Sequence, residues 1–175
     1  GEINLSIKNY EAALKKNPNS AKAYNNLGIV LKDQGFYNEA IKNYEASIKI
    51  NPNFFEAYNN LGIALNEINK FDDAISAYEK SIELNPNYPE SFNNLANIYS
   101  KKNNLLKAIN YYEKSYNINS NNTALASLIY SKMKLSDWSA FDDFKKVENK
   151  LGINSESIMP FYTLAMEDNP KNQLL

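Results

Sequence analysis

Apolar and polar positions alternate along most of the chain with the spacing of an α-helix. In one stretch the apolar and small side chains lie at i, i+3, i+4 and i+7, which is one helical face: Tyr24, Leu27, Gly28 and Leu31. After a short polar turn, a second helical pattern follows: Ala40, Tyr44, Ser47 and Ile48. Together they predict two amphipathic helices that pack through their apolar faces.

The pair of patterns recurs along the chain without gaps. The tripeptide Asn-Pro-Asn falls at 17–19, 51–53 and 85–87, so the period is 34 residues. The matching first-helix positions are Tyr58, Leu61, Gly62 and Leu65, then Phe92, Leu95, Ala96 and Tyr99. The matching second-helix positions are Ala74, Tyr78, Ser81 and Ile82, then Ala108, Tyr112, Ser115 and Tyr116. The sequence therefore predicts an all-α chain with three repeats, at 21–54, 55–88 and 89–122.

Small and helix-ending residues support this division. The small side chains of Gly28, Ala40 and Ser47 allow neighbouring helices to approach closely. A proline follows the second helix in three places, where it cannot continue the helix: Pro18, Pro52 and Pro86. We expect the Asn or Ser just after it to cap the next helix. Pro89 lies near a first helical position, where proline is tolerated.

The two ends of the chain depart from the pattern. Residues 1–20 contain a second helix without its first, and 123–152 read as a degenerate capping helix pair. Residues 153–175 are not a repeat, and we interpret them as a linker or the start of a missing C-terminal domain. A helix without its partner leaves apolar surface open, so we expect a possible homo-oligomer through this N-terminal helix.

The order aromatic-x-x-Leu-Gly, then Ala-x-x-x-Tyr, then Pro, at this period, resembles the tetratricopeptide repeat. The resemblance covers roughly residues 1–122. It implies a right-handed α-solenoid whose first helices line a concave groove, and a role in protein–protein interaction.

Paired asparagines occupy the same place in every first helix, although asparagine is a poor helix former. They lie opposite the apolar stripe, so in such a stack one Asn of each pair would form a row along the groove: Asn26, Asn60 and Asn94. The other Asn would flank the row: Asn25, Asn59 and Asn93. A primary amide can bind both the C=O and the N–H of a peptide unit. The predicted peptide-binding groove consists of these six residues with Ile29, Ile63 and Asn97. The alternative is that the asparagines bond between adjacent repeats.

Composition narrows the possible functions. The net charge is -1, and all 19 basic residues are lysine, which argues against nucleic-acid binding. Histidine and cysteine are absent, so we expect no enzyme activity from this chain, no metal and no cofactor. No apolar run of about 18 residues exists, so we expect no membrane span and a cytoplasmic location. A lysine and arginine clamp for a C-terminal carboxylate is disfavoured, because Glu90 has the wrong charge for it.

The tail carries a second resemblance. It is similar to the segment that joins repeats to the catalytic domain in O-linked N-acetylglucosamine transferases, including bacterial and SPINDLY-type relatives. The matching residues are Asp137, Trp138, Pro160, Phe161, Leu164, Ala165, Asp168, Pro170, Gln173 and Leu174. The resemblance implies a recognition arm that presents a protein substrate to a transferase domain, which these residues do not include. The alternative for Trp138 and Phe141 is packing on the last repeat.

Three interpretations follow from these patterns. The first is a module that binds an extended peptide or protein in an Asn-lined groove, as the recognition arm of a protein O-glycosyltransferase. The second is a free-standing scaffold or assembly protein that self-associates or bridges partners. The third is an arm of another enzyme, such as a methyl- or sulfotransferase, and the resemblance of the tail counts against it.

Overall fold

The computed structural model describes residues 2–120 and 122–135, and it places the side chains of 5–120 and 124–135. These ranges contain eight α-helices and no strand. The helices are α1 (Glu2–Lys16), α2 (Ala21–Asp33), α3 (Tyr37–Ile50), α4 (Phe55–Glu67), α5 (Phe71–Leu84), α6 (Pro89–Lys101), α7 (Leu105–Ile118) and α8 (Asn122–Lys134). The prediction of an all-α repeat solenoid is confirmed.

Consecutive helices pack on one another and form a stack of antiparallel pairs. The pairs α2–α3, α4–α5 and α6–α7 have the most extensive contacts, and each pair also packs on the next. The first helices of neighbouring pairs, α2, α4 and α6, contact one another directly. They therefore line one continuous face of the stack, and the second helices α3, α5 and α7 form the other.

A tyrosine of the second helix packs against a small residue of the first helix in each pair. Tyr44 and Tyr78 are buried, and a Cβ atom added to Gly28 or Gly62 would lie 2.6 or 2.5 Å from the Cε1 of the tyrosine ring. Glycine at these two positions thus allows the rings to lie against the helix backbone. In the third pair Ala96 takes the glycine position, and Tyr112 is still buried.

In each helix pair a serine of the second helix forms a hydrogen bond to the start of the first helix. Ser47 donates a hydrogen bond to the backbone oxygen of Ala21 at 2.8 Å, and Ser81 donates to that of Phe55 at 2.9 Å. Ser115 repeats the bond to Pro89 at 2.9 Å. These serines are buried, so the bond replaces water at the start of each first helix. The sequence predicted only that a small side chain at this serine position allows the helices to approach closely, and the hydrogen bond was not predicted.

The turns between repeats depart from expectation in one respect. The side chains of Asn17, Asn51 and Asn85 accept a hydrogen bond from the backbone N–H two residues later, at 3.2, 3.1 and 3.1 Å, which stabilises the turn. Ser20 caps α2 as predicted, at 3.3 Å from the N–H of Ala23. The N-cap residues of α4 and α6 are instead aromatic, Phe54 and Tyr88, with no side-chain cap bond. The prediction that an Asn caps these helices was wrong, whereas the position of Pro89 in the first turn is confirmed.

The turns inside each pair share an unusual backbone conformation. Gly35, Asn69 and Asn103 have φ of 80°, 61° and 56°. A residue in this left-handed region commonly ends a helix, and Gly and Asn adopt it most readily.

Within the described residues, α1 packs on α2 at one end of the stack and α8 packs on α7 at the other. Within the described ranges no helix is both long and apolar enough to cross a membrane. The second helix of the predicted capping pair, Trp138, Phe141 and the whole tail motif lie outside the described residues.

Candidate amide row on the first helices

The predicted row of amides lies on the face formed by the first helices. Asn26, Asn60 and Asn94 lie at the same position of α2, α4 and α6, and all three are half-buried. Ile29 and Ile63, one turn further along the helix, are half-buried as well. Asn97 is exposed at the corresponding place in α6.

Hydrogen bonds connect the asparagines of adjacent repeats. The Nδ2 of Asn60 donates to the Oδ1 of Asn25 at 2.9 Å. The Nδ2 of Asn94 donates to the Oδ1 of Asn59 at 3.0 Å. Asn25 and Asn59 are only 5% and 3% exposed, so these predicted flanking residues lie beneath the surface. The alternative considered from the sequence, a bond between repeats, therefore describes the contacts that these residues make.

The second of these bonds belongs to a larger buried network. The hydroxyl oxygen of Ser91 lies 3.2 Å from the Oδ1 of Asn59 and 2.8 Å from the Oγ of Ser81, and it can donate to either. Because Ser81 donates to the backbone of α4, the network joins α4, α5 and α6. Ser91 was missed in the sequence. The signal was its polar side chain at a position where the previous repeats have alanine, Ala23 and Ala57.

The network stops at the third repeat. The Oδ1 of Asn93 is buried and has no hydrogen-bond partner among the described residues. The position that would supply the donor, by analogy with Asn60 and Asn94, is Leu128, which packs with Ala96 and Tyr112. A leucine cannot donate, so α8 offers packing where the earlier repeats offer a hydrogen bond.

The amides on the surface retain hydrogen-bonding capacity. A primary amide has two N–H donors and one oxygen acceptor. Asn60 and Asn94 each use one N–H toward the buried Asn of the previous repeat, and no other bond to a described residue engages them. The side-chain amide of Asn26 makes no hydrogen bond to a described residue. The bond between repeats thus fixes the orientation of two amides and leaves one N–H and the oxygen of each available.

Neighbouring polar contacts are also uneven between repeats. The hydroxyl of Tyr112 donates to the Oδ1 of Asn97 at 2.6 Å, so the oxygen of this predicted site residue is engaged. The buried hydroxyl of Tyr44 has no partner among the described residues. Burial, with a smaller effect of the nearby Asp33 carboxylate, raises the pKa of Tyr44 far above its usual range. Burial and Glu67 do the same to the pKa of Tyr78. Both phenols are therefore neutral at physiological pH.

Comparison with known proteins identifies the repeat. A family model described as tetratricopeptide repeat matches residues 19–87 and 55–121, and a second, described as TPR repeat, matches 1–35. A solved structure titled as the crystal structure of MamA protein is 30% identical, with a TM-score of 0.75, over 86% of this chain and 83% of that one. MamA residues 41–end from Desulfovibrio magneticus RS-1 has 21% identity and a TM-score of 0.76, over 87% and 86% of the two chains. PilF of Pseudomonas aeruginosa has 22% identity and a TM-score of 0.73, over 89% and 72%. These last two likenesses show the fold alone. No curated protein sequence matches.

Proposed function

Because the chain belongs to the tetratricopeptide-repeat family, we propose that it is a protein-binding module that holds an extended segment of a partner across α2, α4 and α6. The observation that carries the proposal is the orientation of Asn60 and Asn94. Each amide is held by a buried Asn of the preceding repeat, and each retains a donor and an acceptor.

The amides suit the backbone of a bound segment more than its side chains. A peptide unit presents one N–H and one C=O, and the oxygen and free N–H of one Asn side chain complement both. Prior orientation also lowers the entropy cost of binding, since the side chain is already restricted. The same pair of asparagines thus serves the fold and the ligand, so the two roles considered from the sequence are compatible.

Apolar contacts complement the amides on the same face. Ile29 and Ile63 are half-buried beside Asn26 and Asn60, where they can contact side chains of the segment. In the third repeat Asn97 replaces the isoleucine, and Tyr112 holds its oxygen. We therefore place the apolar anchors of the ligand at the first two repeats and polar contacts at the third.

We propose two alternative proteins in which this module could act, and each rests on a different observation. A recognition arm of a protein O-glycosyltransferase rests on the resemblance of residues 137–174, which the matched family models do not reach. A free-standing scaffold that self-associates rests on the apolar side chain of Leu5 on α1, which is 59% exposed. Sedimentation of the chain and of its Leu5→Glu variant tests the scaffold. Concentration-dependent dimers that the substitution abolishes support it, and a monomer at all concentrations contradicts it.

The groove itself is tested with a peptide selected from a random phage-displayed library. Substituting Asn26, Asn60 and Asn94 together by alanine should weaken its binding by at least about tenfold. Methylation of backbone nitrogens in the peptide should weaken binding more than alanine substitution of most of its side chains. The matched control is Asn38→Ala, which removes an exposed amide from the second helix α3.

The unfolding free energy of each variant is measured in parallel, because the triple substitution also removes bonds between repeats. Unchanged affinity in a folded triple variant contradicts the proposal. So does a peptide that is insensitive to N-methylation, since its backbone then makes no contact with the amides.

A further inference from the structure

A second concave site lies on the other face of the stack. It is a cleft of about 380 Å³ between α3 and α5, with α4 as its floor. This volume is at the lower end of the range for ligand pockets. Apolar and aromatic side chains line its base, including Ile41, Tyr58, Leu65 and Ala77. Three charged side chains stand at its rim: Glu45, Lys70 and Asp73.

The next repeat shows what fills an equivalent cleft. Tyr111 lies 34 positions after Ala77 and occupies the corresponding place between α5 and α7. Its ring stacks on that of Tyr99, with centroids 5.6 Å apart and planes within 4°, and it lies 6.5 Å from the ring of Phe92. Phe92 and Tyr99 correspond to Tyr58 and Leu65 in the cleft. The chain therefore fills one cleft with its own aromatic ring, whereas the methyl group of Ala77 leaves the other open.

The charges around the two clefts also differ. In the filled cleft, the Nζ of Lys107 lies 4.9 Å from the centroid of Tyr99, and that of Lys114 lies 5.2 Å from the centroid of Tyr111. Cations at such distances are attracted to the faces of aromatic rings. In the open cleft, Asp73 replaces Lys107, and Lys80, which corresponds to Lys114, pairs with Glu83 at 2.8 Å.

The rim of the open cleft carries two carboxylates, Glu45 and Asp73, and one lysine, Lys70. Glu45 and Asp73 are exposed, and neither forms an ion pair with a described residue. Lys70 is the one cation among the described residues that line the cleft, so this described lining bears one excess negative charge. A ring that enters here meets an apolar base, and a positive charge beside it would be attracted to the carboxylates of the rim.

We propose that this cleft is a docking site for a protein partner that inserts an aromatic side chain with a lysine or arginine next to it in the sequence. The ring occupies the space that Tyr111 fills one repeat later. The cation lies between Glu45 and Asp73. The site is separate from the amide row, because it opens between α3 and α5 and none of the amides lines it.

Two short peptides test this site: acetyl-Gly-Ser-Tyr-Lys-Ser-Gly-amide and the same sequence with Glu in place of Lys. Each is titrated into ¹⁵N-labelled protein, and the amide signals are followed by NMR. The Tyr-Lys peptide should shift the signals of Ile41, Tyr58 and Ala77, and it should bind at least about fivefold more tightly than the Tyr-Glu peptide, or about 1 kcal/mol. No shift at saturating concentration, or equal affinity of the two peptides, overturns the proposal.

Two variants locate the binding. Ala77→Tyr supplies the missing ring and should abolish the shifts while thermal stability is retained. The double variant Glu45→Lys with Asp73→Lys changes exposed side chains only and should reverse the preference toward the Tyr-Glu peptide. Retained binding in a folded Ala77→Tyr variant, or an unchanged charge preference in the double variant, overturns the proposal.

The control is Asn60→Ala, which alters the amide row and should leave both affinities unchanged. If a folded Asn60→Ala variant no longer binds the Tyr-Lys peptide, the peptide binds to the amide row and the cleft proposal is wrong. Failure of the amide-row experiment does not affect this test, because the two sites are on different faces and use different probes.

Discussion

Two asparagines at the same repeat position should respond in opposite directions to replacement by alanine. The Oδ1 of Asn59 lies within hydrogen-bond distance of Asn94 and Ser91, at 3.0 and 3.2 Å. The Oδ1 of Asn93 is buried without a partner among the described residues. Both side chains are in helices of the same length, so the helical propensity terms cancel between them.

The expected magnitudes follow from the bonds. Asn59→Ala removes the acceptor of Asn94 and one of the two acceptors open to Ser91, and leaving such a donor unpaired costs about 1–3 kcal/mol. Alanine is the better helix former by about 0.6 kcal/mol, which leaves a net loss of about 0.4–2.4 kcal/mol. Asn93→Ala loses no bond and removes a buried acceptor that is costly to leave unpaired. It should therefore be neutral or stabilise the fold by up to about 1 kcal/mol.

Urea unfolding and thermal unfolding, both followed by circular dichroism, measure the difference. For a chain of this size, about 1 kcal/mol shifts Tm by roughly 2–4 °C, so the variants should differ in Tm by several degrees. Adding Asn94→Ala to Asn59→Ala should cost little more, because the shared bond is already lost. Equal losses for Asn59→Ala and Asn93→Ala, or full additivity of the double variant, would refute the hydrogen-bond reasoning.

Four further predictions concern the helix pairs. Gly62→Ala should lower the free energy of unfolding by about 1–3 kcal/mol in urea, because the new Cβ would lie 2.5 Å from the ring of Tyr78. An unchanged or higher free energy of unfolding, as helix propensity alone would give, would contradict this packing. Asn69→Gly should raise stability by about 0.5–1 kcal/mol, because φ is 61° there, and a lower Tm would disprove it. Tyr44→Phe should be neutral or stabilising, since the hydroxyl has no partner among the described residues, whereas Tyr112→Phe should cost about 0.5–1.5 kcal/mol, and the reverse order would rule this out. Stability should fall as the pH rises above about 10, because phenols ionise there in the unfolded chain while the raised pKa keeps Tyr44 neutral in the folded one. Tyr44→Phe should make this fall less steep, and an unchanged slope of stability against pH would count against it.

Local spacing was sufficient to predict the helix pairs α2 to α7. Apolar residues one turn apart define a helical face within a single segment. Because these positions recur every 34 residues, the same prediction applies to each repeat. The left-handed residues at 35, 69 and 103 and the buried serines at 47, 81 and 115 share the same period, although their roles were not anticipated.

Capping was less predictable than the helices. The turn before α2 ends in a serine that caps, whereas the turns before α4 and α6 end in Phe54 and Tyr88. Among the described residues, no side chain caps these two helices. The asparagine turn stabilises the chain before each of them, and the hydroxyl of Ser81 or Ser115 from the next helix donates to the backbone oxygen of their first residue. The serine hydroxyl comes from a residue 26 positions away in the sequence, so propensity rules based on neighbouring residues cannot predict its contribution.

The sequence by itself determined that this chain is a stack of helix pairs and that amides recur along one side of it, because both depend on the spacing of residues within a helix. Only the tertiary structure decided which amides remain available. Asn25 and Asn26 are neighbours with the same chemistry, and they differ in whether another repeat covers them. That depends on a residue 35 positions away, Asn60, whose distance and orientation are set by how whole helices pack. For the same reason, one replacement by Leu128 leaves Asn93 without a donor.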